Sequence, residues 1–293
     1  MTACGSSTTP PATSAPAASV PASGAPLPVV ATQSAASVDG VPIAWRRYGQ
    51  GETAVVLIHG WAEDATIWRA QIPALSAHYT VVTLDLGGQG ASGTNRQSWT
   101  LLSFAQDVAA VVAKLPNAHI VLVGHGMGGP VALAAAPLSG ARVAGLVGVE
   151  TFRTLGAPVP LPSQIDQALR PFRDDFAGAV RQYVSGTLFL PHADPAVVHT
   201  VTQLMVQTAP DRGVAELGAL NKLDYASLLP AVKTPMVVID SDLGGAVDEA
   251  RLHHAAPRLA IITLHGDDSF PMLDDTQRFN TTLLQAIDSL AAR

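Results

Sequence analysis

Residues 124–128, Gly-His-Gly-Met-Gly, have the types and spacing that bear most directly on chemistry. An apolar run ends in glycine there, and a small-residue segment opens directly after it. That pattern reads as a buried strand, a very tight turn and a helix. A side chain at the middle of such a turn stands at a strained strand-to-helix corner, over a helix N-terminus that stabilises a developing oxyanion. The middle residue here is Gly126, which brings no hydroxyl, thiol or carboxylate.

Acyl transfer needs an attacking atom, a base to take its proton and a group to orient the base. The candidates for the last two are few. His125 flanks the corner and is expected to pack away from the reacting centre. His59, in His59-Gly60-Trp61, is expected to hold its own turn together beside the pocket. Glu150 closes a strand, as a solvated acid or as an acid at the site. Asp240 and Asp242 follow a later strand, Asp242 being the better placed. His265 lies inside the last strand, and Asp267 and Asp268 follow in an acidic loop whose spacing matches no metal site. No imidazole beside a free hydroxyl or carboxylate is expected at Gly126.

The elements that must position these residues follow from periodicity. Residues 37–48 read as a hairpin around Asp39-Gly40. Apolar runs at 54–59, 79–86, 120–124 and 143–149 read as buried strands. Helix-like spacing at 61–76 and 101–115, and the segment after 124, separate them. Strands apolar along their whole length and alternating with helices predict a parallel sheet covered on both faces. From 151 to about 229 only helical patterns occur, roughly four short helices punctuated by prolines. Strand-helix order returns with 235–239, a helix near 248–254, a strand at 259–264 and a final helix from about 275 to 292.

Taken together, four motifs in order resemble the α/β-hydrolase family from about residue 35 onward. His59-Gly60-Trp61 is similar to the family's HG segment, and residues 85–92 to its D-x-x-G-x-G-x-S loop. Residues 124–129, GHGMGG, match GHSMGG at all but one position. Residues 266–274, GDDSFPMLD, resemble G-x-G-H-F-P-x-L-E, with Phe270 and Pro271 in place. The resemblance implies an α/β-hydrolase fold: a mostly parallel central sheet flanked by helices, with a helical cap inserted after the sixth strand. It also implies that the triad-equivalent positions are Gly126, Gly244 and Ser269, all substituted. Glu150 and Asp242 then remain as surviving acids, Glu150 at the strand end where some members place theirs. Backbone N–H groups of Trp61 and Met127 are expected to form an oxyanion hole, with His59, His125 and Phe270 around the pocket.

Composition bounds the rest. The 293 residues carry a formal net charge of −6 and no basic cluster, which argues against nucleic acid as a partner. Mean hydropathy is +0.27, yet no apolar run reaches the roughly 18 residues of a membrane span. A single cysteine, Cys4, excludes internal disulfides and thiolate metal cages. Residues 1–34, rich in Ala, Pro, Ser and Thr, read as a disordered tether, followed by core segments 35–150 and 230–293 around a cap at 151–229. The start, MTACGSS, resembles a bacterial lipoprotein box. A lipid on Cys4 would attach the domain to a membrane, and the expected location is the cell envelope if a signal peptide was removed, otherwise the cytoplasm.

The expected function is a pseudo-hydrolase that binds a small carboxylate, ester or lactone, with no cofactor, no metal and no protein partner. Two alternatives stand beside it. One is an inactivated version of a carboxylic-ester hydrolase. The other reads Gly124-x-Gly126-x-x-Gly129 as a dinucleotide turn, with Glu150 on a ribose.

Overall fold

The computed structural model describes residues 30–243, 245 and 247–291. Cys4 with the rest of the leader to residue 29, and Gly244, lie outside them. Eight strands form one sheet in the order β1-β2-β4-β3-β5-β6-β7-β8. They are β1 (Gln33–Ala36), β2 (Pro42–Tyr48), β3 (Thr53–Ile58), β4 (Thr80–Leu84), β5 (His119–His125), β6 (Val143–Val149), β7 (Met236–Ser241) and β8 (Leu259–Leu264). The hairpin β1–β2 and the β2–β4 pair are antiparallel, and every other pairing is parallel. Parallel strands need crossover connections, which puts helices on both faces and buries both sides of each strand. From Ala54 to Ile58 and from Ile120 to Val123 every side chain is fully buried.

Between residues 61 and 76 the structure departs from the single helix that the apolar spacing predicts. A 3-10 turn (Ala65–Trp68) precedes a five-residue helix, α1 (Ile72–Ser76). Ala62 sits at φ +57, which a right-handed helix cannot hold. Asp64 then caps a new start by accepting from the Thr66 N–H, and Pro73 opens α1 where its missing N–H costs nothing.

Helix α2 (Leu101–Val112) begins with a reciprocal Thr100–Ser103 cap. Its Asp107 and the loop residue Arg96 form a buried ion pair at 2.5 Å, with Asp39 on the other edge of the guanidinium at 2.7 Å. Asp107 also accepts from the Gly87 N–H at 2.9 Å, fixing the loop after β4. Helix α3 (Gly128–Ser139) leaves the corner after β5 and packs on it closely: a Cβ on Gly128 would stand 2.5 Å from the Ile58 carbonyl oxygen.

Between β6 and β7 lie α4 (Pro162–Asp174), α5 (Phe176–Tyr183), α6 (Pro195–Val206), α7 (Pro210–Asn221) and α8 (Tyr225–Leu228). They form the helical cap, and prolines start α4, α6 and α7. Trp61 links cap and core. Its indole N–H donates to the Gly213 carbonyl at 2.8 Å, and its ring meets Phe172, Phe176 and Tyr183 edge-on at 5.5–6.0 Å. The chain closes with α9 (Glu249–Ala255), α10 (Pro271–Asp274) and α11 (Thr276–Ala291).

Candidate functional site

At the C-terminal ends of the parallel strands, under the cap, lies a cleft of ≈ 550 Å³. Ligand sites in open α/β sheets form at this edge. Gly126, Met127 and Pro130 form part of its floor, with Glu63, His125, Glu150, Thr151, Ser269 and Phe270 around them. The cap contributes mostly apolar side chains, Leu188, Met205 and Leu217 among them.

Gly126 holds φ +50, a left-handed conformation at the corner between β5 and α3. Its N–H donates to the Val149 carbonyl at 2.9 Å, and its own carbonyl accepts from the Thr151 hydroxyl at 2.8 Å. A Cβ here would meet nothing nearer than the Gly60 Cα at 3.9 Å. Among the described residues, neither the Met127 N–H nor the Trp61 N–H donates to a carbonyl or a side chain outside the regular elements.

The histidines depart from expectation in two ways. His59 does not line the cleft. It is fully buried, with Nδ1 at 2.9 Å from the Gly60 carbonyl, and Nε2 accepts from the Leu86 N–H at 2.9 Å. His125 borders the cleft, as expected, with its imidazole buried. Its Nδ1 lies 3.0 Å from Glu63 Oε2 and its Nε2 lies 2.8 Å from the Ser269 carbonyl. An imidazole therefore stands beside a carboxylate at this corner, against expectation. Burial works against the charged imidazolium, but the Glu63 carboxylate and the Ser269 carbonyl outweigh it, and the His125 pKa is raised. With acceptors at both nitrogens, the ring is held as a double donor, without a lone pair for a third group. Phe270 packs against it at 4.8 Å with the rings tilted by 51°, and stacks on Phe189 of the cap at 5.5 Å.

Glu63 is the site residue that the sequence reading missed. It is buried, and its Oε2 also accepts from the Gly60 N–H at 2.7 Å. Its Oε1 has no hydrogen-bond partner among the described residues. In sequence it is one acid in a loop, 62 residues from His125. The available signal was topological: the loops after neighbouring parallel strands, here β3 and β5, meet above the sheet.

The acids at the far wall also rearrange the expected order. Asp242 turns outward to His265 at 3.3 Å and accepts from the Gly266 N–H at 2.9 Å, which is the main reason its pKa is lowered. Asp240 is the buried one, beside Glu150. Glu150, at φ +48, has its carboxylate engaged by the Ser241 N–H and hydroxyl, so it is not presented to a ribose as the dinucleotide reading requires. Burial and the nearby Asp240 push Glu150 up to about 7, against the pull of Ser241 and Arg153. Burial raises Asp240 to about 6, opposed by Arg153 at 3.5 Å. Asp267 and Asp268 do not converge with His265: Asp267 meets Arg278 at 3.3 Å, and Asp268 accepts from the Leu190 N–H. Ser269 N–H donates to the Leu188 carbonyl at 3.0 Å, tying this loop to the cap.

Another buried acid, Glu216 of α7, joins cap to core through the Gln89 amide at 3.0 and 3.1 Å. Burial raises its pKa to about 8, against Arg212 and Gln89. Glu150, Asp240 and Glu216 each bind a proton more readily in the folded chain than in the unfolded one. The native state therefore holds extra protons between about pH 4.5 and 8, and stability falls as pH rises through that window. Urea titrations are expected to show this fall, and Glu216→Gln to flatten it between about pH 5 and 8.5. An unchanged slope would remove Glu216 from this role.

Comparison with known proteins agrees with the architecture. Residues 53–194 match the family model described as alpha/beta hydrolase fold. The chain is 30% identical over 210 residues to a pimeloyl-[acyl-carrier protein] methyl ester esterase of Edwardsiella ictaluri, covering 69% of this chain and 80% of that one. Among solved structures, a thermophilic esterase from Thermogutta terrifontis superimposes with a TM-score of 0.75 at 23% identity, over 89% of this chain and 99% of that one. Esterase RhEst1 from Rhodococcus sp. ECU1013 gives 0.72 at 25% identity, over 88% and 99%.

Proposed function

Because the chain belongs to the α/β-hydrolase fold family, we propose that it is a binding member of that family in which acyl transfer has lapsed. It holds a small ester, lactone or carboxylate in the cleft between sheet and cap. One observation carries this reading. The corner at Gly126 keeps the left-handed turn and the open space of a nucleophile position, and the residue there has no side chain. The only imidazole lining the cleft among the described residues, His125, has both nitrogens engaged and cannot serve as a base for a hydroxyl placed beside it. On this reading Gly126, Gly244 and Ser269 stand where the triad would.

The ligand's carbonyl oxygen lies against the Met127 and Trp61 N–H groups at the start of α3, where the helix dipole favours negative charge. Its apolar part faces Leu188, Met205 and Leu217. Descent from a carboxylic-ester hydrolase accounts for the esterase names among its relatives.

Short-chain p-nitrophenyl esters test the proposal. The native protein is expected to release p-nitrophenol no faster than its heat-inactivated control, with no initial burst. Sustained turnover above that control would sink the reading.

A further inference from the structure

We infer that the cleft carries a carbon-acid site: Glu63 is a catalytic base for the α-C–H bond of a bound carbonyl compound. The inference rests on the reading above that the ligand's carbonyl oxygen faces the Met127 and Trp61 N–H groups.

Three observations place the base. Glu63 lines the cleft, and the two oxygens of its carboxylate differ. Oε2 is held by the Gly60 N–H at 2.7 Å and by His125 at 3.0 Å. Oε1 has no partner among the described residues. Gly60 joins this oxygen to the corner: a Cβ on Gly60 would point at Glu63 Oε1 from 2.7 Å, and the Gly60 Cα is the nearest atom to a Cβ on Gly126, at 3.9 Å. Glu63 and Gly126 thus flank Gly60 from two sides and line the same cleft. The strained backbone at Ala62, φ +57, sets Trp61 and Glu63 on either side of one turn. Tyr183, whose phenol is kept protonated by burial and by the Glu63 charge, also lines the cleft.

A carboxylate and a pair of amide donors need no nucleophile to do chemistry. The α-C–H bond breaks and its proton goes to Glu63 Oε1. The electron pair forms the C=C bond, and the carbonyl π pair moves to oxygen, which the two N–H groups hold as an enolate. Return of a proton from the Glu63 carboxyl to carbon completes the cycle, with no oxidant and no leaving group. Paired base and oxyanion donors of this kind carry enolate chemistry elsewhere. The substrate class is a small lactone, ester or ketone with an activated α-C–H. His125 is a positioning residue that fixes Oε2 and leaves Oε1 to act.

The probe is α-phenyl-γ-butyrolactone in D₂O, followed by proton NMR. The native protein is expected to accelerate loss of the α-methine signal at least tenfold over the heat-inactivated control. Glu63→Gln is expected to abolish the acceleration and Glu63→Asp, which keeps the charge but withdraws it, to lower it at least tenfold. In Glu63→Ala, added formate is expected to restore exchange, which a merely structural role would not allow. No acceleration by the native protein, or unchanged exchange in Glu63→Gln or Glu63→Asp, overturns the inference. If Glu63→Gln fails to fold, Glu63→Asp decides. Ring opening appears in the same spectra as separate signals, and would count against the lapsed-hydrolase reading instead.

Discussion

Gly124→Ala is expected to prevent folding, measured as loss of soluble protein and of a cooperative urea transition. The added Cβ would lie within 3.0 Å of the Gly128 carbonyl and of the Gly129 nitrogen at 2.6 Å. All of these are backbone atoms in the first turn of α3, which is itself pressed against the Ile58 and His59 carbonyls. No side chain can swing aside, so the helix must lift from the sheet. Displacing it opens a buried interface, a change that exceeds the 4–5 kcal/mol marking exceptional single substitutions. Two positions away, Gly126→Ser is expected to fold. Its Cβ meets open space, and the left-handed backbone costs only about 1–2 kcal/mol. Loss of both variants, or survival of both, would contradict this account of the corner.

Asp107→Ala is expected to cost about 3–5 kcal/mol in urea unfolding, a large share of the ~5–15 kcal/mol of a typical domain. Arg96 is almost wholly buried, with side-chain exposure of 1%. Removing Asp107 leaves half of its guanidinium without an acceptor, since Asp39 reaches only the other edge. The Gly87 N–H loses its partner as well. Trp99 and Phe104, each 5.7 Å from the guanidinium, offer ring faces that cannot replace a carboxylate. The damage reaches the site through the loop after β4, because Gln89 in that loop holds Glu216 of the cap. A change below 1 kcal/mol would show that the ion pair is not what fixes this loop.

The sheet was legible because strands buried on both faces read as unbroken apolar runs, and the strand at 143–149 coincides with β6. The corner was legible because Gly124, Gly128 and Gly129 stand where any Cβ would strike backbone or a neighbouring side chain. What failed to read was side-chain pairing across the sheet edge. Asp240 and Asp242 sit two apart on one strand end, and which of them is buried depends on where β7 stops; it runs to Ser241, so Asp240 stays inside. The Glu63–His125 pair depends on a left-handed Ala62, and a lone alanine announces no such turn. The helix expected over 61–76 failed for the same reason, since apolar spacing carries no record of a backbone reversal.

The central claim is that no side chain at this corner attacks a carbonyl carbon. Thr151, whose hydroxyl donates to the Gly126 carbonyl, and Ser269, at the triad-equivalent position, both line the cleft. Intact-mass analysis during incubation of the native protein with p-nitrophenyl butyrate tests them directly. The account predicts an unshifted mass at every time point. A single butyryl adduct, mapped by peptide sequencing to Thr151 or Ser269, would contradict it.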